Sequence, residues 1–68
     1  MNEEAKKLGQ NLKRIRTKKG ISQGDIVKIL SMPKSFVSSI ENGKTNPTLA
    51  TIAKIAKAIG VSVDKLLK

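Results

Sequence analysis

Apolar side chains recur every three or four residues along most of the chain, the spacing that places them on one face of an α-helix. In the first segment, residues 3 to 19, the apolar stripe consists of Leu8, Leu12 and Ile15, set among lysines and arginines. Gly20 follows and is expected to end this helix. No segment shows the period-two alternation of a β-strand, so the pattern predicts an all-α fold.

Two short helices are predicted next, from residues that typically begin and end helices. Ser22 is placed to cap a second helix, and Asp25 complements its positive end. Proline fits the first turn of a helix but not its interior, so a third helix is expected to begin at about Pro33 and to close at Asn42-Gly43. The buried face of the second helix is predicted to contain Ile26, Val27 and Leu30. Two short helices joined by a turn of about three residues form a helix-turn-helix unit.

The remainder of the chain predicts two more helices. Thr48 caps the fourth, Gly60 ends it, and Ser62 caps a short last turn. The apolar residues at core spacing are Leu49, Ile52, Ala53, Ala56 and Ile59 in the fourth helix, and Val63, Leu66 and Leu67 in the last. A chain of 68 residues has room for one modest core. We therefore expect a single domain, residues 1–68, with a core from about residue 8 to residue 67.

The third predicted helix has two contrasting faces. At about 100° per residue, Val37, Ile40 and Phe36 share one side, which is predicted to be buried. The opposite side carries small polar residues: Ser35, Ser38, Ser39 and Asn42. These side chains either face water or allow close approach to the major groove of DNA, which admits one helix. Phe36 is expected either at the edge of the core or against the DNA backbone or a thymine methyl group.

The charge of the chain favours a polyanionic partner. Lys and Arg total 14 against 5 Asp and Glu, which gives a formal net charge of +9 and a pI of about 10.3. Nucleic acid is the first candidate, because approaching lysines release counterions from fixed phosphates. Ribosomal proteins and membrane-surface helices have a similar charge, so composition alone leaves those alternatives open.

Several kinds of chemistry are disfavoured by composition. The chain has neither cysteine nor histidine, which excludes disulfides, thiolate metal sites and the most common acid-base constellations. We therefore expect no enzyme activity, metal, cofactor or small-molecule ligand. The amino-terminal MNEEAKK lacks the apolar core of a secretory signal, and lysines interrupt the apolar stretch IAKIAKAIGV. A cytoplasmic protein with no membrane association is expected.

The segment QGDIVKILSMPKSFVSSI, with SQ at its start and ENGKTNPTLATIAKIAKAIGVSVDKLL after it, resembles the phage-repressor and Cro-type helix-turn-helix family, also called XRE-like. The resemblance covers about residues 8 to 67. It implies a compact five-helix lambda-repressor-like domain with a helix-turn-helix formed by helices 2 and 3. It also implies a sequence-specific, double-stranded DNA-binding transcriptional regulator of the repressor or controller type.

The same resemblance assigns roles in DNA binding. The third helix, about residues 33–42, would enter the major groove, and the base-contacting residues would be Lys34, Ser35, Ser38 and Ser39. Lysine can bond guanine, whereas serine both donates and accepts and so discriminates poorly. Part of the specificity is then expected from DNA shape or half-site spacing. Contacts to the DNA backbone are implied for Ser22, Gln23, Asn42, Gly43, Lys44, Thr45 and Asn46.

Further positions have structural roles in such proteins. The resemblance implies an ion pair between Arg16 and Glu41 that orients the third helix. Ser31 and Val27 depart from the family, which mostly has glycine and alanine there, so Ser31 must either adopt a positive φ or change the turn. The remaining basic residues are expected to be solvated and to attract DNA at long range: Lys6, Lys7, Lys18, Lys19, Lys54 and Lys57.

A weak homodimer on a two-fold symmetric operator is expected, because one recognition helix covers about half a site. The resemblance places the dimer interface among Ile59, Val61, Val63, Leu66 and Leu67, some of which must also fill the core. Phage repressors, restriction-modification controllers and antitoxins all share this pattern, and the chain is either a complete minimal regulator or a binding domain of a larger one. The alternative function is a protein-interaction module of the same fold, such as an antitoxin-type or regulator-partner domain. A membrane-active amphipathic peptide is disfavoured by the helix caps.

Overall fold

The computed structural model describes residues 3–68, and within that range it contains five α-helices and no strand. The helices are α1 (Glu3–Lys18), α2 (Gln23–Leu30), α3 (Lys34–Glu41), α4 (Leu49–Ile59) and α5 (Val63–Leu67). The all-α class and the five-helix order predicted from the sequence are confirmed. Helix α1 packs on α3 and α5, α2 packs on α3 and α4, and α5 also contacts α4. Helices α2 and α3 form the predicted helix-turn-helix.

Two of the predicted caps are formed as expected. The Ser22 hydroxyl oxygen accepts a hydrogen bond from the Asp25 backbone N–H at 3.0 Å, and the Ser22 N–H donates to the Asp25 carboxylate at 2.9 Å. Thr48 accepts from the Thr51 N–H at 3.2 Å. Ser62 occupies the cap position of α5, but its side chain makes no capping hydrogen bond. Pro33 is the residue before α3, with φ −62° and an extended ψ of 144°, and its fixed φ is compatible with the entry to a helix.

The core consists of aliphatic side chains from all five helices. Its largest fully buried members are Leu8, Leu12, Ile26, Val37, Ile40, Ile55 and Leu66. The expected burial of Leu49 and Ala53 is wrong: Leu49 is 66% exposed, and Ala53 is exposed as well. Ile55 is buried instead, because the buried face of α4 centres on Ile52, Ile55, Ala56 and Ile59. Ala53 lies about 100° from Ile52 on the helix and points away from that face.

The turn between α2 and α3 contains a strained serine. Ser31 has φ 52° and ψ 44° and is, within residues 3–68, the one residue other than glycine with a positive φ. The left-handed conformation costs an L-residue about 1–2 kcal/mol. The protein therefore keeps a tight left-handed turn at Ser31 instead of changing the turn geometry, which was the other possibility left open by the sequence.

Helices α1 and α3 approach each other closely at Gly9. A Cβ atom added to Gly9 would lie within 2.6 Å of the Glu41 carbonyl oxygen and closer still to that of Ile40. The backbone of α1 therefore rests directly on the carboxyl end of α3. This approach fixes the height of α3 relative to α1, and with it the position of the α3 surface that faces outward.

Candidate nucleic-acid interface

The outward surface of α3 presents one lysine followed by small polar groups. Lys34 and Ser35 are exposed at the amino end, and Ser38 and Ser39 are half-buried farther along. The Asn42 side-chain amide donates to the Ser38 hydroxyl oxygen at 3.3 Å. All four predicted base-contacting residues therefore belong to one short helix, and three of them are serines.

The inner side of α3 holds this surface to the domain. Val37 is 1% exposed and Ile40 is 0% exposed. Phe36 and Met32 are half-buried and pack against the same core. Phe36 therefore lies at the edge of the core, which was one of the two positions expected from the sequence.

A hydrogen-bonded network around Glu41 ties α3 to the two helices beside it. The Arg16 guanidinium donates to both carboxylate oxygens of Glu41, at 2.6 and 3.0 Å, so the predicted ion pair is formed. The Gln23 side-chain amide donates to the same carboxylate at 2.9 Å. Arg16 also donates to the Ile21 carbonyl oxygen at 2.9 Å. The Glu41 carboxylate thus joins α1, α2 and α3.

The ion pair is largely shielded from water. The side chain of Glu41 is 2% exposed and that of Arg16 is 12% exposed. The hydrogen bond to Glu41 raises the pKa of Arg16 above its ordinary value, which favours the charged guanidinium. Because each partner would be costly to bury alone, the pair favours one orientation of α3.

The amino end of α2 offers backbone donors. Gln23 and Gly24 occupy the first turn, where N–H groups have no partner inside the helix. The Gln23 side-chain amide uses one of its two N–H hydrogens on Glu41, so the predicted contact from its second hydrogen stays a prediction. The backbone N–H groups of Gln23 and Gly24 therefore remain for an anion, whereas the Ser22 hydroxyl is engaged with Asp25. Gly24 was not among the residues predicted from the sequence.

The loop after α3 contains the other predicted backbone contacts. Asn42, Lys44 and Asn46 are exposed and Thr45 is half-buried. Gly43 is buried, has φ 70°, and donates its N–H to the Ile40 carbonyl oxygen at 3.1 Å. The expected DNA contact from Gly43 is therefore corrected: its donor is used within the chain, and its role is to turn the loop.

The predicted dimer residues fall into two groups. Ile59 is 2% exposed and Leu66 is 0% exposed, so their assignment to a dimer surface is wrong. A domain of this size needs both side chains to close its core. Val61 and Val63 are half-buried, and Leu67 is 43% exposed. These three supply the apolar surface that α5 and the preceding turn leave accessible.

One buried polar residue was missed by the sequence analysis. Asn11 is 8% exposed, its amide nitrogen donates to the Leu66 carbonyl oxygen at 2.8 Å, and its oxygen accepts from Arg14 at 3.0 Å. It therefore fastens α5 to α1. The available signal was its place three residues after Leu8, which puts a polar side chain on the apolar face of α1.

A sequence profile described as helix-turn-helix matches residues 12–66. The chain belongs to the XRE-like helix-turn-helix family. Among curated family members it is similar to the uncharacterized HTH-type transcriptional regulator y4dJ of Sinorhizobium fredii, with 37% identity over 62 residues that cover 91% of this chain and 80% of y4dJ. It is also 38% identical over 61 residues to the HTH-type transcriptional regulator SinR of Bacillus subtilis, of which the match spans 55%.

Solved structures of restriction-modification controller proteins superpose closely on this one. The restriction-modification controller protein C.AhdI of Aeromonas hydrophila has a TM-score of 0.88 and 32% identity, with 96% of this chain and 98% of C.AhdI covered. The controller protein C.Esp1396I, a tetramer in complex with its natural 35-base-pair operator, has a TM-score of 0.84 and 25% identity, with 100% of both chains covered.

In residues 3–68 no helix is long and apolar enough to cross a bilayer. The same residues contain no group of three or more carboxylate, histidine or cysteine side chains that could hold a metal ion.

Proposed function

We propose that this protein is a sequence-specific, double-stranded DNA-binding transcriptional regulator of the repressor or controller type. The observation that carries the proposal is the outward surface of α3, where Lys34, Ser38 and Ser39 present a lysine and small hydroxyls on a helix held by a buried ion pair. A slender polar helix of this kind enters the major groove without steric hindrance. The regulators and controllers to which the chain is similar support the same function, and we propose DNA binding rather than catalysis as its activity.

Base recognition rests on few groups. Lys34 is exposed at the amino end of α3, and in residues 3–68 it forms no ion pair. Its ammonium group is therefore available to the O6 and N7 atoms of guanine. Ser35, Ser38 and Ser39 donate or accept with any base, so they permit close approach and add little discrimination. Specificity then depends on how accurately α3 is positioned and on the shape of the DNA.

Contacts to the DNA backbone position the protein on the duplex. The N–H groups of Gln23 and Gly24, with Ser22 beside them, form one anion-binding group at the positive end of α2. The second group lies in the loop after α3, which offers the side chains of Asn42, Lys44, Thr45 and Asn46. Both groups flank α3, so phosphates on either side of the groove can be held at once.

We further propose a weak dimer that is completed on DNA. Val61, Val63 and Leu67 provide a small apolar surface around α5, and small interfaces of this kind give weak association. A two-fold axis would place two α3 helices one turn of DNA apart. The operator would then be a two-fold symmetric sequence, and binding of the second protomer would be cooperative.

Selection of binding sites from random DNA, followed by titration with salt, tests the proposed function. We expect a two-fold symmetric consensus and a steep negative dependence of the binding constant on salt concentration. Lys34→Ala is expected to relax the base preference at one position in each half-site, whereas Lys44→Ala should weaken all sites to a similar extent. Equal affinity for every sequence in the pool would refute sequence-specific binding.

A further inference from the structure

Lys6 lies directly against the loop that follows α3. The three atoms nearest to a Cβ placed on Gly43 all belong to Lys6: Cα at 3.1 Å, Cγ at 3.2 Å and the backbone nitrogen at 3.5 Å. The positive φ of Gly43 and the absence of a side chain there let the first turn of α1 approach the loop. The stem of Lys6 therefore starts beside the residue that precedes Lys44.

The orientation of α1 separates Lys6 from its neighbour Lys7. Gly9 and Arg16 mark the side of α1 that contacts α3, and Lys6 lies about 60° from Gly9 on the helix. Lys7 is turned about 100° farther from α3, toward the side where Asn11 bonds α5. Both lysines are exposed. They share one helical turn and one kind of charge, but Lys6 alone of the two has its stem against the loop.

We propose that Lys6 binds the phosphate backbone of DNA together with Lys44, one lysine on each side of Gly43. This inference rests on the proposed function and adds α1 to the DNA-binding surface. The start of the Lys6 stem lies beside Gly43, so the side chains of Lys6 and Lys44 leave the backbone at neighbouring points. Glu3 and Glu4 precede Lys6 on α1, but no carboxylate within residues 3–68 forms an ion pair with Lys6. Its charge is therefore available to a phosphodiester.

Three variants with the same change in charge test the proposal. Lys6→Gln, Lys7→Gln and Lys44→Gln each remove one positive charge, and glutamine keeps a helix propensity close to that of lysine. The binding constant for the selected operator is measured at several salt concentrations between 50 and 200 mM. Each phosphate contact contributes about 0.9 to the slope of log K against log salt. We expect Lys6→Gln and Lys44→Gln to flatten the slope by about that amount and Lys7→Gln to leave it near the wild-type value.

A fold-change in affinity follows from the same difference in slope. The advantage of the wild type over Lys6→Gln should shrink about 3.5-fold between 50 and 200 mM salt, because a slope difference of about 0.9 acts over a fourfold change. The loss should be equal on operator and on unrelated DNA, since a phosphate contact carries no sequence information. Lys6→Arg, which keeps the charge, should restore the wild-type slope.

The outcomes separate this inference from the function on which it rests. If Lys44→Gln flattens the slope but Lys6→Gln behaves like Lys7→Gln, the role of Lys6 is refuted and DNA binding stands. If the wild type itself shows no salt dependence and selects no site, the proposed function fails with it. Circular dichroism with thermal unfolding checks that each variant is folded. If Lys6→Gln is unfolded, the salt slopes of Lys6→Arg, which keeps the charge, and Lys6→Met, which removes it, are compared under conditions in which both are equally stable.

Discussion

Replacing Ser31 with glycine should stabilise the protein. Ser31 adopts φ 52° in the turn between α2 and α3, it is exposed, and its hydroxyl makes no hydrogen bond within residues 3–68. Removing its side chain therefore costs no contact within that range. The change leaves the backbone where it is and relieves the steric conflict that a Cβ atom causes in the left-handed region.

The expected gain follows from two opposing effects. The left-handed conformation costs an L-residue about 1–2 kcal/mol. Glycine also loses more backbone freedom on folding, which costs about 0.5–1 kcal/mol. The central values differ by about 0.75 kcal/mol in favour of Ser31→Gly, within a range of about 0 to 1.5 kcal/mol, and the central value corresponds to a rise in Tm of about 3–6 °C for a domain of this size. Total stabilities of about 5 kcal/mol are typical for small domains, so the gain should be readily measured.

Urea and thermal unfolding followed by circular dichroism measure the effect, at one fixed protein concentration because dimerisation would make Tm depend on concentration. Gly20→Ser is the matched reverse control. Gly20 has φ 73°, and no atom lies within 4 Å of a Cβ placed there. The stability lost in Gly20→Ser therefore reports the conformational cost alone. Ser31→Ala keeps the Cβ atom and should gain nothing. If Gly20→Ser is destabilised while Ser31→Gly is no more stable than wild type, the strain assigned to Ser31 is wrong.

Three further outcomes are expected. Glu41→Ala should lower the free energy of unfolding by about 3–5 kcal/mol, because it leaves Arg16 without its carboxylate; chemical denaturation measures the loss, and one below about 1 kcal/mol would contradict the role of the network. Gly9→Ala should destabilise by about 1–3 kcal/mol, because the added methyl meets the backbone of α3; Gly24→Ala, whose methyl would meet nothing closer than 3.5 Å, should be neutral or stabilising and serves as its control. Hydrogen bonds from the Ser22 backbone and then from its hydroxyl lower the pKa of Asp25 below its ordinary value of 3.8. The resulting stabilisation is present above pH 3.8 and is lost as the pH falls through the pKa of the folded state. When stability is measured against pH in acid, Asp25→Asn should therefore lose less stability in this range than the wild type.

The helix boundaries could be predicted because they depend on local chemistry. Ser22 and Thr48 accept from N–H groups three residues away, and such short-range signals are visible in a single sequence. The expected end of α1 differed from the observed one by a single residue. Pro33 also indicated the start of α3 closely, because proline lacks the N–H that a helix interior needs and its ring clashes with the preceding turn, and neither matters at the residue before the helix.

The buried face of α4 could not be predicted in the same way. Leu49, Ile52, Ala53 and Ile55 are all apolar, so the hydrophobic pattern covers more than one side of the helix. The packing of α2 and α5 decides which side is buried, and those contacts come from residues distant in sequence. Leu49 is exposed and Ile55 is buried because of tertiary packing, and helical spacing alone cannot show which of the two is buried.

The candidate site also has parts that follow from local sequence and parts that depend on tertiary contacts. The residues of α3 that face outward follow from helical geometry, because Val37 and Ile40 define the opposite side. Other features join residues that are far apart in sequence, so no local pattern marks them. They are the close approach at Gly9, the hydrogen bond from Asn11 to Leu66, and the contact between Lys6 and Gly43. A sequence shows which groups can recognise DNA, whereas the structure shows which of them stand together.

In the proposed complex with DNA, the positioning of α3 matters more than the chemistry of its surface. Ser35, Ser38 and Ser39 would bond several bases about equally well, so discrimination must come from where α3 is held and from the few groups that choose among bases. The Glu41 network, the Gly9 contact and the left-handed turn at Ser31 each constrain α3 from a different side. A protein whose recognition helix was rich in arginine and glutamine could tolerate a looser fit, because each bidentate contact discriminates by about 1–3 kcal/mol. Here the strain at Ser31 and the buried carboxylate of Glu41 hold α3 in one position, and in the proposed complex that position contributes part of the specificity.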